Sequence, residues 1–168
     1  RIEGKSASAR SNSHVVIEAG ENSHSTLVIE HTGSAIHNGN VEIIVGQGAT
    51  LTVISLQRWQ DDTLHVGQHD AEVDKDAHYK HISVTLGGDV VRLNSNVRFS
   101  DEGGNAQLFG LYFADAGQHL EHRSFVDHNA PRNTSNVLYK GALQGEPEKG
   151  KDAREARTAW IGDVLIRP

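Results

Sequence analysis

Cysteine and methionine are both missing from this chain of 168 residues, and proline occurs only three times. Without cysteine there is no disulfide framework, no thiolate zinc site and no cysteine nucleophile. The lack of methionine extends to position 1, and the chain stops at VLIRP directly after an apolar run; together these read as a piece of a longer protein. No run approaches the length of a membrane span, so no membrane association is expected. The polar start RIEGKSASARSNSH has no apolar stretch of a secretory signal. The formal net charge is −6 with both signs interspersed, so no basic stripe points to nucleic acid. Aromatic residues make up only 5% of the chain, which leaves few platforms for sugar rings. Neither a G-x-S-x-G elbow nor a G-x-x-x-x-G-K-[ST] loop occurs, which excludes the common hydrolase and ATP-binding templates.

What is present is a repeat. Four segments align on a small residue that follows a turn: GENSHSTLVIE, GQGATLTVIS, DKDAHYKHIS and EGGNAQLFGLY. The small residues are Ser23, Ala49, Ala77 and Ala106. Upstream, Val15, Ile17 and Gly20 match Val41, Ile43 and Gly46 at one constant offset. Aliphatic alternation predicts strands around Leu27, Ile29 and Val53, at 82–86, 90–93, 97–99 and 108–113, and at 137–143 and 160–166. HTGSAIHNGN, LGGD, DEGGN and QGEPEKGK read as turns, and residues 151–159 as a short helix or a polar loop. Short strands with small residues at fixed corners describe a β-solenoid, because stacked coils leave little room where the backbone turns inward. The expectation is an all-β chain, a parallel β-helix of about six coils forming a single domain over residues 1–168. A β-sandwich and a cupin-like double sheet are the competing folds.

The chain holds 11 histidines. Strand parity puts His122 and His128 on one side of their segment and His119 with Glu121 on the other. His65 and His69 share parity across an intervening glycine, whereas His78 and His81 do not. A two-histidine, one-carboxylate metal site can be assembled from His119, Glu121 and a residue of a neighbouring coil, but no residue in the sequence stands out as the third member. Polar strand and turn residues are the plainer reading. His122 and His128 remain the metal candidates.

From residue 110 onward the motifs are specific as an ordered set. H-L-x-H runs from His119 to His122, V-D-H-x-x-P from Val126 to Pro131, and T-S-N-V-x-Y-K-G from Thr134 to Gly141. With ARTAWIGDVLIRP behind them, they resemble the SufB/SufD family, SufD more than SufB. His119, His122, His128, Pro131, Ser135, Lys140 and Gly141 carry that resemblance. It implies a right-handed parallel β-helix core that lacks its flanking N- and C-terminal regions here. It also implies a non-catalytic scaffold in a cytoplasmic iron–sulfur cluster assembly complex, pairing with a SufB-like subunit and working with a SufC-like ATPase. No cofactor is expected in this piece, since the assembled complex handles the cluster and no thiolate is present to hold one. The histidines, aspartate and arginine of 117–131 are then expected to satisfy buried turn amides and one another, with Pro131 capping a strand or at a corner and Lys140 in a turn or at a subunit interface. A cut solenoid exposes strand edges, so self-association as a dimer is expected. A carbohydrate-active β-helix enzyme and a histidine-metal protein of cupin type are the alternatives.

Overall fold

The computed structural model describes residues 1–145 and 154–167. Ten strands run in chain order: β1 (Ile2–Ala19), β2 (His24–Val45), β3 (Thr50–Trp59), β4 (Leu64–Val73), β5 (His78–Thr85), β6 (Val90–Phe99), β7 (Asn105–Ala114), β8 (His119–His128), β9 (Thr134–Leu143) and β10 (Arg157–Ile166). Every pairing between them is parallel. The long β2 serves two ladders, since residues 24–33 pair with β3 and residues 36–45 with β4. One face of the solenoid therefore stacks β2, β3, β5, β7 and β9, and the other stacks β1, β2, β4, β6, β8 and β10. The unbroken parallel ladder rules out the sandwich and the cupin-like double sheet, whose hairpins and Greek keys run antiparallel.

The second face has six rungs, which means five steps of rise, so the solenoid makes about five turns rather than about six. Alternation decides which side chains enter it. In β3, Leu51, Val53, Ser55, Gln57 and Trp59 are buried while their neighbours face out, and the other inner strands keep the same period. The corners form their own ladder. The amide of Thr50 donates to the Ser23 carbonyl at 2.8 Å, His78 to Ala49 at 2.7 Å, Asn105 to Ala77 at 2.8 Å and Thr134 to Gly104 at 2.9 Å. The fourth small corner is thus Gly104, not Ala106, which pairs with Tyr79 two residues further on. A slip of two preserves the face, so Ala106 is still fully buried. One residue ahead of each corner the backbone turns left-handed, at Asn22, Gly48, Asp76, Gly103 and Arg132.

Other expectations change as well. HTGSAIHNGN is not a turn: β2 runs through it, and Gly33 supplies the bend with φ +78, its Cα so close to Gly4 that a Cβ would lie 2.1 Å from that residue's carbonyl oxygen. Segments 90–93 and 97–99 are one strand, β6. Of the possible helix at 151–159, residues 151–153 lie outside the described residues and 157–159 begin β10, while most of the QGEPEKGK turn also lies outside them. Among the described residues there is no helix, hence none long and apolar enough to cross a membrane.

Candidate functional site

The interior is divided lengthwise. Along the corner edge it is aliphatic and aromatic, with Val45, Val73 and Phe99 stacked in register on one face against Ala49, Leu51 and Tyr79 of the other. A smaller apolar cluster of Trp59, Val91, Tyr112, Ala114 and Leu120 closes the far edge. Between the two lies a buried band of His31, His37, His65, His69, His81 and His122 together with Ser55, Gln57, Ser83, Thr85, Ser95 and Ser124. All of these side chains occupy inward positions of their strands, so simple alternation puts them there.

Polar partners within the band are few. His69 Nδ1 and His81 Nε2 share a hydrogen bond of 3.0 Å, and Trp59 Nε1 donates to His65 Nδ1 at 3.0 Å. Gln57 donates to Ser55 Oγ at 2.8 Å. Unpartnered atoms include His31 Nδ1, His81 Nδ1, His122 Nε2, Gln57 Oε1 and Ser124 Oγ. Each costs about 1–3 kcal/mol of desolvation, so the band is an expensive way to fill a core. Burial pushes His31 down to about 3 and both His69 and His122 to about 4, with His65 and His81 also well below the ordinary histidine value. At neutral pH these imidazoles are uncharged, and each can offer a lone pair.

Glycines make room for the rings. A Cβ on Gly67 would stand 3.1 Å from His65 Nε2, and one on Gly39 would stand 2.9 Å from His37 Nε2. Gly39 and Gly67 are register partners, so two rings on adjacent rungs use one continuous gap. The same logic explains Gly141, over which the Tyr112 ring lies so closely that a Cβ would meet Cε2 at 2.0 Å. Lys140 stands in the middle of β9 facing outward, not in a turn.

The other sequence candidates scatter. His119 and Glu121 face outward, with His119 Nε2 3.6 Å from Glu121 Oε2, but the remaining neighbours are cations: Arg123 Nε at 2.6 Å and Arg92 Nε at 3.6 Å. Burial alone pushes the Glu121 carboxyl up; the Arg123 hydrogen bond and the Arg92 and Arg123 charges outweigh it and leave the group below its ordinary value. Two guanidiniums on the one carboxylate repel a metal ion, so the triad imagined from these residues does not form. His122 stacks on Tyr112 at 5.2 Å, and His128 leans on Phe99 at 5.0 Å while Nε2 meets Ser135 Oγ at 2.8 Å. Six residues of strand separate the two, about 20 Å, so they share no ion. Nor do the 117–131 histidines satisfy turn amides. Asparagines do that: Asn129 Oδ1 accepts from the Phe99 amide at 3.0 Å and Asn133 Oδ1 from the Gly104 amide at 2.6 Å, while Pro131 stands at the corner between β8 and β9.

His31 and His37 were invisible in the sequence, because the turn-like composition around them hid their parity. Three imidazole nitrogens, one each from His31, His37 and His65, lie within 4.8 Å of one another. Their only sequence signal is register: counting from the Gly46–Ala49 corner backward would have put both new histidines on inward positions.

Outside, the faces differ. Val28, Ile54, Ile82, Phe109 and Leu138 are register partners across the first face and all point outward, flanked by exposed Leu111 and Phe113. The second face instead has a shallow groove of about 580 Å³ whose outward side chains include Glu42, Asp70, Glu72, Arg98 and Asp127.

The continuous parallel ladder of both faces defines a protein of the parallel β-helix class. Comparison with known proteins gives the family. Residues 2–168 match the model described as SUF system FeS cluster assembly, SufBD core domain. The chain is 52% identical over 155 residues to an iron–sulfur cluster assembly SufBD family protein of Mycobacterium leprae, covering 92% of this chain and 39% of that protein. It is 47% identical over 166 residues to one of Mycobacterium bovis, covering 99% and 41%. A second Mycobacterium bovis protein of that description is 23% identical over 122 residues, covering 73% of this chain and 14% of the relative. No solved structure matches. The chain belongs to the SufBD family of iron–sulfur cluster assembly, and it spans about two-fifths of the length of the relatives it matches best among these.

Proposed function

We propose that this chain is the β-helix core of a SufD-like scaffold subunit that performs no catalysis itself, pairs with a SufB-like subunit and works with a SufC-like ATPase in the cytoplasm. The cluster is cargo of the assembled complex, and this core holds surfaces at fixed spacing while nucleotide turnover elsewhere moves the partners. The observation that carries the reading is the apolar outer stripe on the first face. Contiguous exposed apolar surface on a rigid sheet favours a protein partner, since water solvates it poorly. A sugar-cleaving β-helix would need free acids and cations crowded on an outer sheet, whereas those of the second-face groove are paired off, Asp70 with Asn96, Glu72 with Arg98 and Asp127 with Arg167.

The test uses the full-length protein co-expressed with its SufB-type and SufC-type partners. Leu111→Glu and Leu138→Glu, both at exposed positions, are expected to abolish recovery of at least one partner while the circular dichroism spectrum stays that of β-sheet. Full recovery of both partners with the double variant defeats the docking face, and a folded wild-type protein that binds neither partner defeats the reading as a whole. The isolated core is expected to dimerise through its open strand edges. Light scattering at high concentration checks this, and a strictly monomeric mass contradicts it.

A further inference from the structure

We propose that His31, His37 and His65 form a binding site for a late first-row divalent cation inside the solenoid, independent of the scaffold reading. Two imidazoles from β2 and one from the adjacent rung β4 converge with their nearest nitrogens within 4.8 Å, and all three side chains are buried. Their ring centroids are 5.0, 5.1 and 5.9 Å apart. Three-histidine sets of this kind suit zinc, cobalt and ferrous iron, which accept imidazole and tolerate tetrahedral coordination.

The local bonding leaves one nitrogen unpartnered and engages the other two rings through hydrogen bonds that a cation can displace. His31 Nδ1 is buried with no partner at all. An indole N–H can only donate, so the 3.0 Å bond from Trp59 shows His65 Nδ1 unprotonated, with its lone pair accepting a bond that a cation would have to displace. His37 has the hydroxyls of Ser11 and Ser13 at 2.8 and 3.3 Å, groups that rotate at little cost. No carboxylate belongs to the cluster, so three neutral ligands leave the ion's charge unbalanced. A solvent-derived hydroxide or another small anion in the fourth position reduces that charge, as in open three-histidine zinc sites. Binding at His65 Nδ1 releases the Trp59 N–H. The indole, whose centroid is 5.3 to 5.8 Å from all three imidazoles, then reports on the site.

Cobalt(II) is the probe, supplied during refolding of the full-length protein and separately to the folded protein. The expected result is one equivalent retained through dialysis, with the intense visible absorption of tetrahedral cobalt and its displacement by zinc. His31→Gln and His65→Gln are expected to lower affinity at least 100-fold, while His122→Gln, a buried histidine elsewhere in the band, leaves it unchanged. Should the glutamine variants misfold, tryptophan emission decides. With Trp160→Phe the first equivalent still quenches emission. With Trp59→Phe that quenching is lost. No retained cobalt, octahedral spectra only, equal affinity in the His31 and His122 variants, or quenching undiminished by Trp59→Phe each overturns the site.

Discussion

The corner edge of the interior and the histidine band beside it are equally buried, yet they are built on opposite principles. Val45, Val73 and Phe99 are completely inaccessible and bring no polar atom inside. His65, His81 and His122 are at most 2% exposed and bring in two nitrogens each, several without a partner. Both regions alternate with a period of two, and both use the parallel ladder to satisfy the backbone. The difference teaches that a solenoid's stability can be concentrated along one edge, because each rung contributes to every column separately. The aliphatic columns offset chain entropy, and the band then tolerates side chains that an ordinary small core would reject.

Removing part of the aliphatic edge is therefore the largest perturbation. Phe99 is fully buried next to Gly104, whose missing Cβ would otherwise meet the ring at 2.8 Å. Phe99→Ala is expected to cost about 3–5 kcal/mol, since parallel rungs at fixed spacing relax poorly around a cavity. Urea denaturation of the full-length protein measures it. A loss below about 1 kcal/mol means this edge is not where the stability resides.

Acid acts on the other region alone. The band histidines have folded values below the unfolded value of about 6.5, so their contribution is complete above that pH. As pH falls, the unfolded chain takes up protons that the folded interior refuses, and stability drops until the folded values of about 4 for His69 and His122 and about 3 for His31 are reached. Between pH 8 and 5 the loss is about 2 kcal/mol for each such histidine. Denaturation midpoints at pH 8, 6 and 5 test the sign. A midpoint that rises toward pH 5 reverses the assignment of neutral imidazoles.

The two regions also differed in how far sequence could reveal them. The corners were legible because turn chemistry and small residues recur together, and Val15, Ile17 and Gly20 fall in the same register as Val41, Ile43 and Gly46, as their spacing implied. The fourth corner slipped because NAQLF and HYKHI both alternate, and period-two alternation cannot tell a register from one displaced by two. Left-handed positions were half hidden. Gly48 and Gly103 announce them, but Asn22, Asp76 and Arg132 fill the same column with ordinary side chains. The histidine band was the least legible part, since no local motif joins His37 to His65. Only the stacking of β2 on β4 does so, and His31 meets them from the other face of the coil.

The smallest expected effect is the sharpest test of the contrast. His122 sits one rung from Leu93 in the same inward column, so leucine is already compatible with that position. His122→Leu removes an imidazole whose Nε2 has no partner and whose Nδ1 reaches Ser83 Oγ only at 3.5 Å. It also removes the ring stacked at 5.2 Å on Tyr112, worth about 0.5–1.5 kcal/mol. Relief of an unsatisfied buried nitrogen returns about 1–3 kcal/mol, so the net change is expected to centre on about 1 kcal/mol in the stabilising direction. The same substitution should shift the acid limb toward lower pH, because one proton-refusing site is gone. A loss above about 2 kcal/mol would mean that the imidazole is held by a polar partner, and the band would then be a satisfied network rather than a cost carried by the aliphatic edge.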